Sequence, residues 1–256
     1  MGIKVVGIPV LADNYVWCLS DSKGQALVVD PGEALPVLSY LKANSYTLKG
    51  ILLTHHHWDH VNGVGDLLAV EKVPVYGGKY DHISVVTHPL EDGDALRIES
   101  MDFSCEVAQL QGHTLGHVYY YGHGMVMTGD TLFSAGCGRV FEGSMDQMLK
   151  AMHKIASLPD ETKIYAGHEY TINNLEFALG ILPEDQDMAK HLQHCLDLQA
   201  KGLPTMPSTV ALEKKINLFW RCRDPLLRRA VENKLGQTLA DELSLFSALR
   251  ALKDRY

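Results

Sequence analysis

Thr54-His55-His56-His57-Trp58-Asp59-His60 is the stretch on which the reading of this chain turns. It directly follows the apolar run Gly50–Leu53, which predicts a strand. In extended backbone, side chains two apart share a side, so His55 and His57 point one way and His56 the other. Asp59 and His60 come where the chain should turn into a helix. One short loop thus offers two imidazoles to one point and a carboxylate plus an imidazole to a neighbouring point. Those ligand types suit Zn²⁺, Fe and Mn²⁺.

The pattern recurs downstream. Gly112-His113-Thr114-Leu115-Gly116-His117 comes after the predicted strand Phe103–Ala108. Gly129-Asp130-Thr131 follows Met125–Thr128, and Gly167-His168-Glu169-Tyr170 follows Lys163–Ala166. Each loop sits just past a strand, where sites are commonly built. A lone histidine after a strand is usually an ordinary loop residue; four strand ends carrying His or Asp are hard to obtain by chance.

Other strands are predicted over Val5–Ile8, Val16–Ser20, Ala26–Val29, Val73–Tyr76, Ala95–Ile98 and Val118–Tyr121. Helical spacing covers Ala34–Ala43 and Met145–Leu158, and Leu67–Val70 ends another helix. From about Thr171 the pattern is helical at nearly every window, with Pro183, Pro204, Pro207 and Pro225 as punctuation. Glu184–Lys201, Asp224–Lys234 and Leu239–Asp254 read as helices. The expected division is therefore an α/β sandwich over residues 1–170 and a small helical domain over 171–256.

With 256 residues, 46% hydrophobic and 21% charged, the composition is that of a folded globular chain. A net charge of -8 argues against a nucleic-acid partner, because phosphate binding wants a basic face. The five cysteines are scattered without a CxxC pair, which fits a reducing compartment rather than a disulfide framework. Met1–Val10 carries no leader-like apolar segment, and no apolar run approaches the ~20 residues of a spanning helix. The expectation is a cytoplasmic monomer with no membrane contact.

The order H-x-H-x-D-H, then His, Asp and His, resembles the metallo-β-lactamase superfamily of αββα sandwiches, an α+β class, over roughly residues 1–170. That resemblance implies two divalent metal ions, zinc first, with iron or manganese as alternatives. His55, His57 and His113 would hold one metal. Asp59, His60 and His168 would hold the other, and Asp130 would bridge them. His56 and His117 are read as packing residues, with His117 also placed to orient a ligand.

Asp130–Gly143, Gly167–Leu175, Asp13-Asn14-Tyr15 and the basic pair Arg250 and Lys253 resemble, more narrowly, the type II glyoxalases, the hydroxyacylglutathione hydrolases. This covers essentially the whole chain. It implies hydrolysis of S-(2-hydroxyacyl)glutathione, such as S-D-lactoylglutathione, to glutathione and D-lactate, the second step of methylglyoxal detoxification. The nucleophile would be a hydroxide between the metals, with Asp59 accepting its hydrogen bond. Arg139, Phe141, Tyr170, Arg250 and Lys253 would contact the glutathione thioester. Arg139 stands where some members have Lys, and Phe141 where some have Tyr, which removes a hydroxyl contact. The rivals on the same fold are a glutathione persulfide dioxygenase with one iron and a non-catalytic metal-binding protein. The first normally lacks a helical carboxy-terminal domain of this kind; the second is usually marked by lost ligands, and none is lost here.

Overall fold

The computed structural model describes residues 2–256. Among them, two six-stranded sheets carry the fold. The first takes β1 (Lys4–Val10), β2 (Asn14–Ser20), β3 (Gln25–Val29), β4 (Thr47–Leu53), β5 (Val75–Gly78) and β6 (His88–Leu90) in chain order. β1 to β3 are antiparallel, and β3 to β6 are parallel neighbours. Parallel neighbours need a crossover. Helix α1 (Ala34–Ala43) supplies one between β3 and β4; α2 (Trp58–Val61) and α3 (Val64–Val70) lie between β4 and β5.

The second sheet is formed by β7 (Ala95–Ile98), β8 (Phe103–Gln109), β9 (Val118–Gly122) and β10 (Met125–Gly129) with two later strands. After β10 comes a small hairpin, β11 (Leu132–Phe133) and β12 (Gly136–Cys137), and then helix α4 (Met145–Ala156). β13 (Lys163–Ala166) adds in parallel to β10. The rest is helical: α5 (Thr171–Leu179), α6 (Gln186–Gln199), α7 (Val210–Ile216), α8 (Pro225–Leu235) and α9 (Glu242–Lys253). The exception is β14 (Ser208–Thr209), which pairs antiparallel with β13 and so joins the second sheet.

Strand alternation explains the layers. Along β2, Val16 and Cys18 face one way, into an apolar cluster with Val37 and Leu41 of α1 and Val64 and Leu67 of α3. Tyr15, Trp17 and Leu19 face the other way, into the cluster that holds the second sheet, α4 and the carboxy-terminal helices. Every residue of β2 is buried, and between Asn14 and Ser20 the strand reads as a continuous apolar run rather than as alternating. Side-chain hydrogen bonds help to bind the sheets: Trp17 donates its indole N–H to the Ala166 carbonyl at 2.8 Å, and the Tyr120 hydroxyl donates to the Leu53 carbonyl at 2.8 Å.

The strand expected over Val73–Tyr76 begins instead at Val75. Pro74 has no N–H to give a ladder, and its carbonyl receives the Ile51 N–H as the entry to the strand.

Candidate metal centre and substrate cavity

His55 and His57 lie just past β4, His113 past β8, Asp130 past β10 and His168 past β13, all at one edge of the two sheets. Asp59 and His60 sit in the single turn of α2. The structure brings these seven side chains into one centre. His57 Nδ1 is 3.1 Å from His55 Nε2 and 3.0 Å from His113 Nε2. His60 Nε2 is 3.4 Å from Asp59 Oδ2, and His168 Nε2 is 3.4 Å from the same oxygen. Asp130 stands between the two groups: its carboxylate is 3.4 Å from His60, 3.2 Å from His168 and 3.6 Å from His113. Gly167 makes room for this approach, because a Cβ there would lie 2.4 Å from Asp130 Oδ1.

The outer ring nitrogens decide the tautomers. Thr54 Oγ1 gives its proton to Asp30 at 2.7 Å, so at 3.0 Å it must receive one from His55 Nδ1. His60 Nδ1 faces Asp30 at 3.1 Å, His113 Nδ1 faces the Arg139 carbonyl at 2.8 Å, and His168 Nδ1 faces Asp13 at 2.7 Å. Each of these partners accepts a proton, which leaves an Nε2 lone pair aimed inward on all four rings. Around His57, lone pairs of His55 and His113 meet at hydrogen-bond distance, and one proton on His57 Nδ1 can satisfy only one of them.

A cation resolves this arrangement. His60 Nε2 and Asp130 Oδ1 are buried polar atoms without a hydrogen-bond partner, which is where a missing ligand is expected. Ligand atoms of His55, His57 and His113, and separately of Asp59, His60 and His168, lie within 4.8 Å of one another. The electrostatics agree. Burial, then the charge of His60 for His55 and of His56 for His57, keeps these two imidazoles below the usual range; burial does the same for His113. Burial alone would lower His168, but Asp130 and Asp59 carry it up to about 10. Burial alone would raise the Asp59 carboxyl, but hydrogen bonds from His168, His60 and Asn14 hold it well below the usual carboxylate range. Burial would lower His60 too, but the carboxylates of Asp130 and Asp30 raise it, so this side of the centre favours positive charge.

The surrounding shell includes Asp30, which carried no role in the sequence reading, beside residues that did. Asp30 binds Thr54 and His60 together, and its signal was available: it follows the apolar strand β3 as the other site residues follow theirs. Asn14 donates to Asp59 Oδ2 at 2.9 Å. His117 does more than pack: its Nε2 receives the Asp130 backbone N–H at 3.2 Å while its ring stacks on His55. His56 points away from the centre, as alternation requires, with Asp81 3.1 Å from one ring nitrogen and Glu142 3.2 Å from the other.

From His113 and Asp130 a cavity of about 470 Å³ runs to Arg250 and Lys253, and Arg139, Phe141 and Tyr170 line it as well. Tyr170 stacks on His168, with ring centroids 4.8 Å apart. Phe141 stands edge-on to His57 and His113, at 5.5 and 5.3 Å. Arg250 is only 4% exposed, and its guanidinium reaches both Asp254, at 3.1 Å, and the Cys137 carbonyl. Lys253 Nζ lies against Asn173. Burial and the neighbouring Arg250 push its ammonium down to about 8.

Residues 14–168 match the family model of the metallo-beta-lactamase superfamily, and residues 169–256 match that of the hydroxyacylglutathione hydrolase C-terminus. A hydroxyacylglutathione hydrolase of Hamiltonella defensa is 47% identical over 255 residues, 99% of this chain and 100% of its own length. The chain belongs to the hydroxyacylglutathione hydrolase family. The Hahella chejuensis hydroxyacylglutathione hydrolase is 44% identical over 257 residues, 99% of each chain. Among solved structures, ETHE1 from Myxococcus xanthus shares the fold, with a TM-score of 0.65 at 22% identity over 99% of this chain and 98% of that one. Membership of this family and the His/Asp clusters together point to divalent metal ions in the hydrolase centre. No helix among the described residues is long and apolar enough to cross a membrane.

Proposed function

We propose that this chain hydrolyses the thioester of S-(2-hydroxyacyl)glutathione, with S-D-lactoylglutathione as substrate and glutathione and D-lactate as products. The reading rests above all on one observation: a single cavity joins the His/Asp centre to the basic pair Arg250 and Lys253. His55, His57 and His113 would hold one divalent ion, Asp59, His60 and His168 a second, and Asp130 both; zinc suits these imidazole and carboxylate donors. Bound there, such ions lower the pKa of water to about 7 and polarise a carbonyl oxygen.

The chain's own groups supply the rest. Asp59, ionised and oriented by Asn14, accepts a hydrogen bond from the attacking water and turns its lone pair toward the thioester carbon. Tyr170 and Phe141 set their rings against His168 and His57 and form walls beside the reacting carbonyl. Arg139 and Lys253 face the cavity as cations for the anionic peptide. Arg250, buried behind them, reaches the cavity with its charge already half-satisfied by Asp254. Thiolate departure needs little acid assistance, because a free thiol ionises near pH 8.5. The helical segment from residue 171 onward acts in this reading as the glutathione-binding part. The protein works as a monomer in the reducing cytoplasm, in keeping with five buried, unpaired cysteines.

Turnover of S-lactoylglutathione, followed by thiol release, tests the reading. Replacing Arg250 and Lys253 together by Ala should raise KM about tenfold or more and lower kcat far less, because it removes binding shared by ground and transition states. An unchanged KM would place the substrate carboxylate elsewhere.

A further inference from the structure

Glu213, on α7, is fully buried and belongs to no group assigned above. Its carboxylate receives four donors. Ser134 Oγ and Ser208 Oγ donate to Oε1 at 2.7 and 2.5 Å, and Ala135 N and Asn217 Nδ2 donate to Oε2 at 2.8 and 3.0 Å. Ser134 and Ala135 form the tip of the β11–β12 hairpin. Ala135 is held at φ 55°, a left-handed conformation that a non-glycine residue keeps only when its surroundings fix it. Asn217 extends the grip by donating to the Gly136 carbonyl at 3.0 Å.

The hairpin is the shared frame of two parts of the site. On one side it places Phe133 and Cys137 in the cavity wall, with the Cys137 carbonyl receiving Arg250. Directly after it, Gly138 N binds the Thr131 carbonyl at 3.1 Å, and the Arg139 carbonyl accepts from His113 Nδ1 at 2.8 Å. A shift of this hairpin therefore moves the cradle wall and the Arg139 cation together.

We propose that Glu213 is a positioning residue for the substrate cradle, tying the helical segment to the hairpin that sets Phe133, Cys137 and Arg139 in place. The proposal rests on the reading of the cavity as the glutathione site. The chemistry favours a carboxylate there: all four partners donate to it, whereas an amide of the same shape would accept only from Ala135 N and Asn217 Nδ2 and would force both serine hydroxyls to turn round and accept from its NH₂. Ser134 ties Glu213 to the hairpin, whereas Ser208 ties it only to β14, and this difference makes the role separable from plain stability.

Glu213→Gln, Ser134→Ala and Ser208→Ala are compared in the metal-loaded protein by KM and kcat for S-lactoylglutathione and by calorimetric affinity for S-hexylglutathione, which cannot be hydrolysed. Glu213→Gln is expected to raise KM about tenfold and weaken S-hexylglutathione to match, with kcat within about threefold and metal content unchanged. Ser134→Ala should show a smaller shift of the same kind. Ser208→Ala should lower the unfolding temperature and leave KM in place. If Glu213→Gln does not fold, the contrast between the two serine variants decides. Equal KM shifts in both serine variants, or an unmoved KM in folded Glu213→Gln, would overturn the positioning role while wild-type turnover leaves the reaction standing. A wild type that neither binds S-hexylglutathione nor turns over the thioester would overturn the cavity assignment and the positioning role with it.

Discussion

Lys253 is the last residue of α9, yet it is partly buried, and Arg250 lies on the same helical face. Both effects penalise its charged form and bring its ammonium to about 8. The sign of the consequence follows directly. Below about pH 8 Lys253 is cationic and can hold a carboxylate; as pH rises through about 8 the charge is lost and substrate affinity falls. KM for S-lactoylglutathione should therefore climb between about pH 7 and 9. Lys253→Arg, whose guanidinium stays charged, should flatten that climb. A KM profile identical in the two proteins would remove Lys253 from the binding face. The sequence made the residues around this site readable unevenly. His55, His57, Asp59, His60, His113, Asp130 and His168 stood out because each type follows an apolar strand in a fixed spacing. Asn14 stood out only through a resemblance, and Asp30, though it too follows an apolar strand, was passed over, because the contacts of both depend on which strand ends meet in space. The burial of Arg250 was likewise hidden: a helical face read from spacing alone looks the same whether it meets solvent or, as here, Cys137 and Asp254.

Elements were readable where they were long and periodic. β2, β3, β4 and β8 are apolar or alternating runs of five to seven residues, and α4 repeats Met148, Met152 and Ile155 on one buried face. Two-residue strands have no period to read. That is why β11, β12 and β14 were not expected, although the first two carry the cradle and the third stitches the helical segment into the sheet. The start of α4 shows how local chemistry fixes an end: the Ser144 hydroxyl receives Gln147 N at 3.2 Å, and the Gln147 side chain receives Ser144 N at 2.8 Å. This reciprocal cap satisfies two otherwise orphaned donors. Ser144→Ala should cost about 1 kcal/mol and lower the unfolding midpoint by about 2–4 °C in a chain of this size. Calorimetry checks it, and KM should not move; an unshifted midpoint would mean that tertiary packing alone fixes this helix end.

At the scale of the whole molecule, the two sheets put the ends of β4, β8, β10 and β13 side by side, and the helical segment closes the cavity that leads to them. The core is continuous across this junction, running from Trp17 and Tyr120 between the sheets to Phe219 and Phe246 among the last helices. On the proposed reading, metal ligands would come from strand ends and from α2, far apart in sequence, while the cations for the substrate would come from the last helix and from the loop after β12. Such a centre exists only in the folded chain, so metal binding and folding are coupled. Asp130 is the one ligand that touches both ligand groups, at 3.2–3.6 Å from His60, His168 and His113. Elemental analysis of purified wild type and Asp130→Ala, both shown folded by circular dichroism, addresses this most directly. Two divalent ions per wild-type chain, with at least one lost on removing Asp130, is the predicted result; an Asp130→Ala protein that retains the full wild-type metal content would contradict the shared centre.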